Sequence, residues 1–202
     1  MTSAQTGPEP AEDGGARGAI LEATERLLQD ETLDELSVAQ ILEAAGLSRA
    51  TFYFYFASKD DAFVALLTAF MEDFVPRFEA IMGDVERRRS AEQLRADIVA
   101  WLTIEAPHAV IVRGAIEEWP RRPELREVYL AGQQRLTKAL AKAIDQDRRA
   151  GVAVPSLPSG QLASAWLWTM ERTWYEATTH AQDPSALRDA VAATLVAAVY
   201  GH

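Results

Sequence analysis

The residues with the clearest capacity for chemistry are Arg49, Ala50, Thr51, Tyr53, Phe54 and Tyr55, preceded by Ser48 and followed by Lys59. An arginine can pair bidentately with a guanine edge, a small methyl such as Ala50 can touch a thymine methyl, and hydroxyls or an ammonium can hold phosphates. In a helix Arg49 and Tyr53 share a face with Ala50 and Phe54 beside them, while Leu47, Phe52 and Phe56 turn inward. So short a helix cannot bury every side. One face packs and the other is left to read.

A second set is aromatic. Phe74, Phe78, Trp101, Tyr129, Trp166, Trp168, Trp174 and Tyr175 recur with Ile98, Leu136, Leu167 and Met170 on predicted helices that also carry Glu105, Gln133 and Glu171. Small-molecule sites are mostly apolar with a few placed polar groups, which fits this set. Large rings that only fill a core answer the same pattern. A third pattern, Glu105-Ala-Pro-His108, has the Glu-x-x-His spacing of di-iron bundles. It fails on count, since the nearest other pair, Glu176 and His180, is spaced by four and Pro107 interrupts the first. Zinc-protease and nucleophile-elbow motifs are absent, so no metal, cofactor or catalytic residue is expected.

The elements that must position these residues are helices. Ser37 caps a helix bearing Val38, Ile41, Leu42 and Ala45 on one face, Gly46 ends it, and Ser48 opens the next. Two helices about a glycine-containing turn are the helix-turn-helix arrangement that places its second helix in the DNA major groove. Ahead of them a helix from Arg17 carries Ile20, Thr24, Leu27 and Leu28, and residues 31–37 connect. A long helix runs from Ser58 to about Gly83 through Phe63, Leu66, Leu67, Phe70, Phe74, Phe78 and Ile81, with Pro76 expected to bend it. ERRRS, at 86–90, reads as a polar loop. Further helices are expected at about 91–106, from Pro107 to about Trp119, at 123–150 with Gly151 at its end, at 159–179 and at 184–200. The last two are poor in charge and rich in Ala, Val, Leu and Trp, so their surface must be covered. Residues 1–16, rich in Gly, Pro, Ala and acids, read as a disordered tail.

The run ILEAAGLSRATFYFYFASKDD resembles the TetR family of bacterial repressors, most specifically over residues 17 to 60. The resemblance implies an all-α fold of about nine helices: a three-helix DNA-binding head at 17–60 and a helical-bundle body at 61–202 for ligand binding and dimerisation. It implies that Arg49, Ala50 and Tyr53 approach bases or flanking phosphates. Ser37, Ser48, Thr51, Phe54 and Tyr55 would lie near the backbone, and Lys59 against phosphate. Ala39 stands where some relatives carry an arginine, so base reading by the first helix of the pair is in doubt. Trp101, Tyr129, Met170, Glu171 and Trp174 would face an elongated apolar tunnel. The last two helices would pair across a two-fold axis.

Composition bounds the rest. The 202 residues are 49% hydrophobic and 25% charged, an ordinary globular chain with room for a head and a body. There is no cysteine, which excludes disulfides and thiolate metal sites. No apolar segment resembles a signal peptide or a membrane span, and a cytoplasmic protein is expected. The net charge of -10 opposes DNA binding in sum, yet residues 46–59 hold Arg49 and Lys59 and no acid. The expected function is a homodimeric repressor on palindromic double-stranded DNA, responsive to a small hydrophobic ligand. The alternative is a helical small-molecule carrier or metal-dependent enzyme in which the helix-turn-helix is only structural.

Overall fold

The computed structural model describes residues 10–84, 86, 91–102, 106–154, 157–179 and 185–201. These form nine helices and no strand among the described residues. They are α1 (Pro10–Leu27), α2 (Val38–Ala45), α3 (Arg49–Tyr55), α4 (Lys59–Gly83), α5 (Ala91–Trp101), α6 (Ala106–Glu118), α7 (Pro123–Arg149), α8 (Ser159–Thr179) and α9 (Ser185–Tyr200).

Local sequence explains most of the boundaries. Ser37 and Gln40 form a reciprocal capping box at the start of α2. At its end Gly46 takes φ 67, and the amides of Gly46 and Leu47 donate back to the Glu43 and Leu42 carbonyls. Ser58 accepts from the Asp61 amide to open α4, where Asp60 and Asp61 complement the helix dipole. Gly151, at φ 73, follows the cap of α7, and the Val152 amide returns to the Asp147 carbonyl.

Two boundaries differ from the sequence reading. Helix α1 starts at Pro10 rather than Arg17, so 10–16 are not a disordered tail; residues 1–9 lie outside the described residues. Proline at the first helical position loses no hydrogen bond, since the N–H it lacks has no partner there. Helix α5 ends at Trp101, not near 106, and α6 begins at Ala106. Pro107 has no N–H for the Thr103 carbonyl, so a continuous helix would break in that turn. The loop expected at 86–90 lies outside the described residues, apart from Glu86.

Two apolar cores meet along α4. The first joins Ile20, Leu28, Leu36, Ile41, Phe52 and Phe56 of the head to Phe63, Leu67 and Phe70 of α4, Ile111 of α6, and Leu125 and Tyr129 of α7. The second packs Val75, Phe78 and Met82 of α4 against α5, α7, α8 and α9, with Ile98, Leu140, Trp166 and Val199 inside. The packing of the head therefore continues past residue 60 along α4. Phe74, Met71, Val112 and Ile116 touch both cores. Glycines let α4 seat closely: a Cβ at Gly114 would fall 2.9 Å from Phe63 Cζ, and one at Gly132 2.8 Å from Met71 Sδ.

Candidate nucleic-acid interface and ligand cavity

Helix α3 is fixed from beneath by Phe52, fully buried, and at its end by Phe56. Its outer face carries Arg49, Ala50, Tyr53 and Phe54, all exposed, with Phe54 the most open at 73%. The Ser48 hydroxyl accepts from the Thr51 amide at 3.1 Å and shares a hydrogen bond with its hydroxyl at 2.8 Å. Arg49 lies 5.7 Å over the Tyr53 ring, and the Tyr53 edge meets Phe52 at 5.5 Å. The rings are thereby held before any partner arrives. Tyr55 is half-buried, edge-on to Phe54 at 5.0 Å. Arg17, which sequence reasoning missed, lies 5.6 Å over Phe56 and brings a second exposed guanidinium beside α3. The signal was a cation three residues before Ile20, the first buried position of α1.

Two expected phosphate contacts are otherwise engaged. Lys59 Nζ donates to the carbonyls of Asp34 at 2.9 Å and Leu36 at 2.6 Å. These loop carbonyls have no helix to satisfy them, so the ammonium fastens the 31–37 loop to α4. Ser37 keeps its hydroxyl on Gln40 Oε1 at 2.5 Å.

Behind the head stands an ionic hub. Arg122, at the N-cap of α7, donates to Glu118 of α6 at 2.9 Å, to Asp34 of the loop at 2.5 Å and to Asp60 of α4. Burial works against its charge, but the Glu118 hydrogen bond and the three carboxylates outweigh that and raise its pKa. Helix α6 is tied to α1 as well: His108 meets Glu25 at 3.0 Å and Arg113 donates to the Leu28 carbonyl at 2.5 Å. His108 thus has a structural partner, while Glu105 and His180 lie outside the described residues. Among the described residues no three side chains form a metal-ligating group.

A cavity of about 80 Å³ opens where the two cores meet. Its walls include nine of the expected residues: Phe74, Phe78, Tyr129, Gln133, Leu136, Leu167, Met170, Glu171 and Trp174. Phe70, Met71, Leu102 and Val112 also line it and were missed. Phe70 and Met71 stand four and three residues before Phe74, so helical spacing alone pointed to them. Ile98 is buried in the second core instead, because α5 packs on α9. Tyr175 turns away to donate to Glu117 at 3.1 Å. The Trp101 side chain lies outside the described residues, as does Glu105.

The polar end of the cavity is a triad. Tyr129 donates to Glu171 Oε2, and Gln133 Nε2 donates to the Tyr129 oxygen at 3.1 Å and to Glu171 Oε2 at 2.8 Å. Burial pushes the Glu171 carboxyl upward against the pull of the Tyr129 hydrogen bond. Burial, then the neighbouring Glu171 charge, pushes the Tyr129 phenol up. Tyr129 is held by stacking on Trp119 at 5.8 Å, with Arg126 5.6 Å over the far ring.

Comparison with known proteins places this geometry. Residues 20–66 match the family described as bacterial regulatory proteins, tetR family, and residues 94–201 match the C-terminal domain of the transcriptional regulator EthR. The chain is 30% identical over 180 residues to the HTH-type transcriptional regulator EthR of Mycolicibacterium smegmatis, covering 88% of this chain and 81% of the relative. It is 29% identical over 178 residues to EthR of Mycobacterium tuberculosis, covering 88% and 82%. In fold it is similar to a TetR transcription regulator from Haloarcula marismortui, with TM-score 0.77, 16% identity and coverage of 92% and 98%. It is also similar in fold to FadR of Bacillus subtilis, solved in complex with stearoyl-CoA, with TM-score 0.71, 21% identity and coverage of 90% and 98%.

Proposed function

This chain belongs to the TetR family of bacterial regulatory proteins, and from that premise we propose that it is a homodimeric repressor of transcription, released from a palindromic operator by a small hydrophobic ligand. Residues 17–60 are its DNA-binding unit and 61–202 its ligand-binding and dimerisation unit. On α3, Arg49, Ala50 and Tyr53 approach the bases, while Ser48, Thr51, Phe54 and Tyr55 lie along the backbone, where the exposed ring of Phe54 offers apolar contact to sugars. Arg17 adds a phosphate contact at the edge of α3.

The observation that carries the ligand-responsive reading is the position of the cavity. It lies between a core that includes the head and a core that includes α8 and α9, and α4 lines it through Phe70, Met71, Phe74 and Phe78. Ligand pockets hold ~300 to 1,000 Å³, so an occupant larger than a few waters must spread the walls of this one. Spreading them displaces α4, and through Lys59 and the Arg122 hub it displaces the head. Two copies of α3 must sit about one helical turn of DNA apart, ~34 to 36 Å, or at another fixed spacing that the operator matches, so a displaced head fits DNA less well. Such coupling is reciprocal and typically ~1 to 3 kcal/mol. The FadR complex with stearoyl-CoA supports an elongated apolar occupant.

Dimerisation falls to α8 and α9. Their exposed face presents Ala165, Trp168 and Thr169 beside Ala186, Leu187, Ala190, Thr194 and Ala197. The hydroxyls of Thr169 and Thr194 bond back to the carbonyls of Ala165 and Ala190, so the surface offers methyl groups and a small profile. No described helix is long and apolar enough to cross a membrane. As a DNA-bound regulator the protein would act in the cytoplasm, and the reading assigns it no enzymatic activity or cofactor.

The test is binding of the full chain to the DNA upstream of its own reading frame over a range of salt concentrations. The proposal expects saturable binding that weakens steeply with salt. Absent binding at low salt, with metal or turnover in the purified protein, would favour the carrier or enzyme instead.

A further inference from the structure

The open acceptors of the cavity's polar triad restrict what the cavity can hold. Tyr129 donates its hydrogen to Glu171 Oε2, and the Gln133 amide faces both the Tyr129 oxygen and the same Oε2 through Nε2. The Gln133 orientation is fixed by chemistry, since the reversed amide would set its oxygen against the Glu171 carboxylate. Both donors converge on Glu171 Oε2. Glu171 Oε1 and Gln133 Oε1 accept nothing from any described residue, and neither is among the fully buried orphaned atoms. The triad therefore leaves two open acceptors, Glu171 Oε1 and Gln133 Oε1, on residues that line the cavity. The remaining described wall is apolar apart from the indole of Trp174, which is neutral.

We propose that the ligand carries a hydrogen-bond-donating head, an ammonium before a hydroxyl, on an apolar body, and that Glu171 receives that head. This rests on the reading of the cavity as the ligand site. A carboxylate or phosphate ester brings only acceptors and a like charge to Glu171, where the described wall offers it no cation and only the neutral N–H groups of Trp174 and Gln133. An ammonium supplies three donors to the open oxygens and neutralises a carboxylate that burial destabilises. Head-group charge thus separates this site from one for fatty acids, although the apolar walls suit both.

The experiment is calorimetric titration of the full chain with octylamine, octanol and octanoate at neutral pH. Wild type is expected to bind octylamine more tightly than octanol and octanoate weakest, with about tenfold or more between amine and acid. Glu171→Gln is expected to cost octylamine about tenfold while changing octanol little. Leu136→Phe, which fills the cavity, is expected to weaken all three together. Octanoate binding as well as octylamine, or an amine preference that survives Glu171→Gln, would overturn the proposal and leave the ligand site standing. Failure of all three probes to bind, or indifference to Leu136→Phe, would overturn the ligand site itself and the proposal with it. Should Glu171→Gln not fold, the wild-type order together with Leu136→Phe decides.

Discussion

Gly46 turns the chain from α2 into α3 at φ 67, where a Cβ costs roughly 1 to 2 kcal/mol. Nothing lies within 4 Å of a Cβ placed there, so the cost is backbone strain alone. Gly46→Ala should lower the unfolding free energy by about 1 kcal/mol in urea denaturation, with DNA affinity changed little. Glu171 gives a prediction in pH. Its folded pKa is raised above the unfolded one, so the folded protein holds the extra proton between the two values. Stability is then lost as pH rises from the ordinary glutamate value, about 4.3, through the raised one. Thermal melts across that window should show wild type falling relative to Glu171→Gln. The caps at Ser37, Gly46 and Ser48 were legible because each acts within four residues of itself. The Lys59 contacts were not: its acceptors, the Asp34 and Leu36 carbonyls, lie 25 and 23 residues away and carry no sequence signal.

At the scale of elements, the structure turns on how α6 and α7 grip the head. Arg122 alone bonds to α6, the 31–37 loop and α4, and Glu118 beneath it is 4% exposed. Arg122→Ala removes one of the two guanidiniums on that carboxylate and the link from Asp34 to Asp60. A stability loss of about 1 to 3 kcal/mol is expected in denaturant, together with faster hydrogen exchange in residues 31–37. Hydrophobic periodicity made α2, α3, α4, α7 and α8 legible, since each hides one face. The break between α5 and α6 was misplaced because Leu94, Ile98, Trp101 and Leu102 keep an apolar period up to a break set by Pro107. Ile98 was assigned to the cavity by helix membership, yet which face of α5 meets α9 depends on tertiary packing.

At the scale of the molecule, the chain carries a net charge of -10, so a single copy of α3 has little electrostatic help from the body. In the proposed dimer two copies held at fixed spacing would double the contacts, and α8 and α9 would then matter to DNA binding without touching it. Trp168 is 43% exposed and can be replaced without opening the core. Trp168→Glu should give a folded monomer in sedimentation velocity, with DNA affinity lowered by orders of magnitude. The cavity was legible as a cluster of aromatic and polar residues, and nine of its expected wall residues lie on it. Its place at the seam of two cores was not, because that depends on which halves of α4 pack with which helices. The central claim is that the outward face of α3 reads DNA. The most direct measurement is fluorescence anisotropy of the labelled upstream fragment with wild type, Arg49→Ala and Tyr53→Ala, each shown to be an intact dimer. The account predicts that wild type binds and that each substitution abolishes the shift at the same salt; binding undiminished in both variants would contradict it.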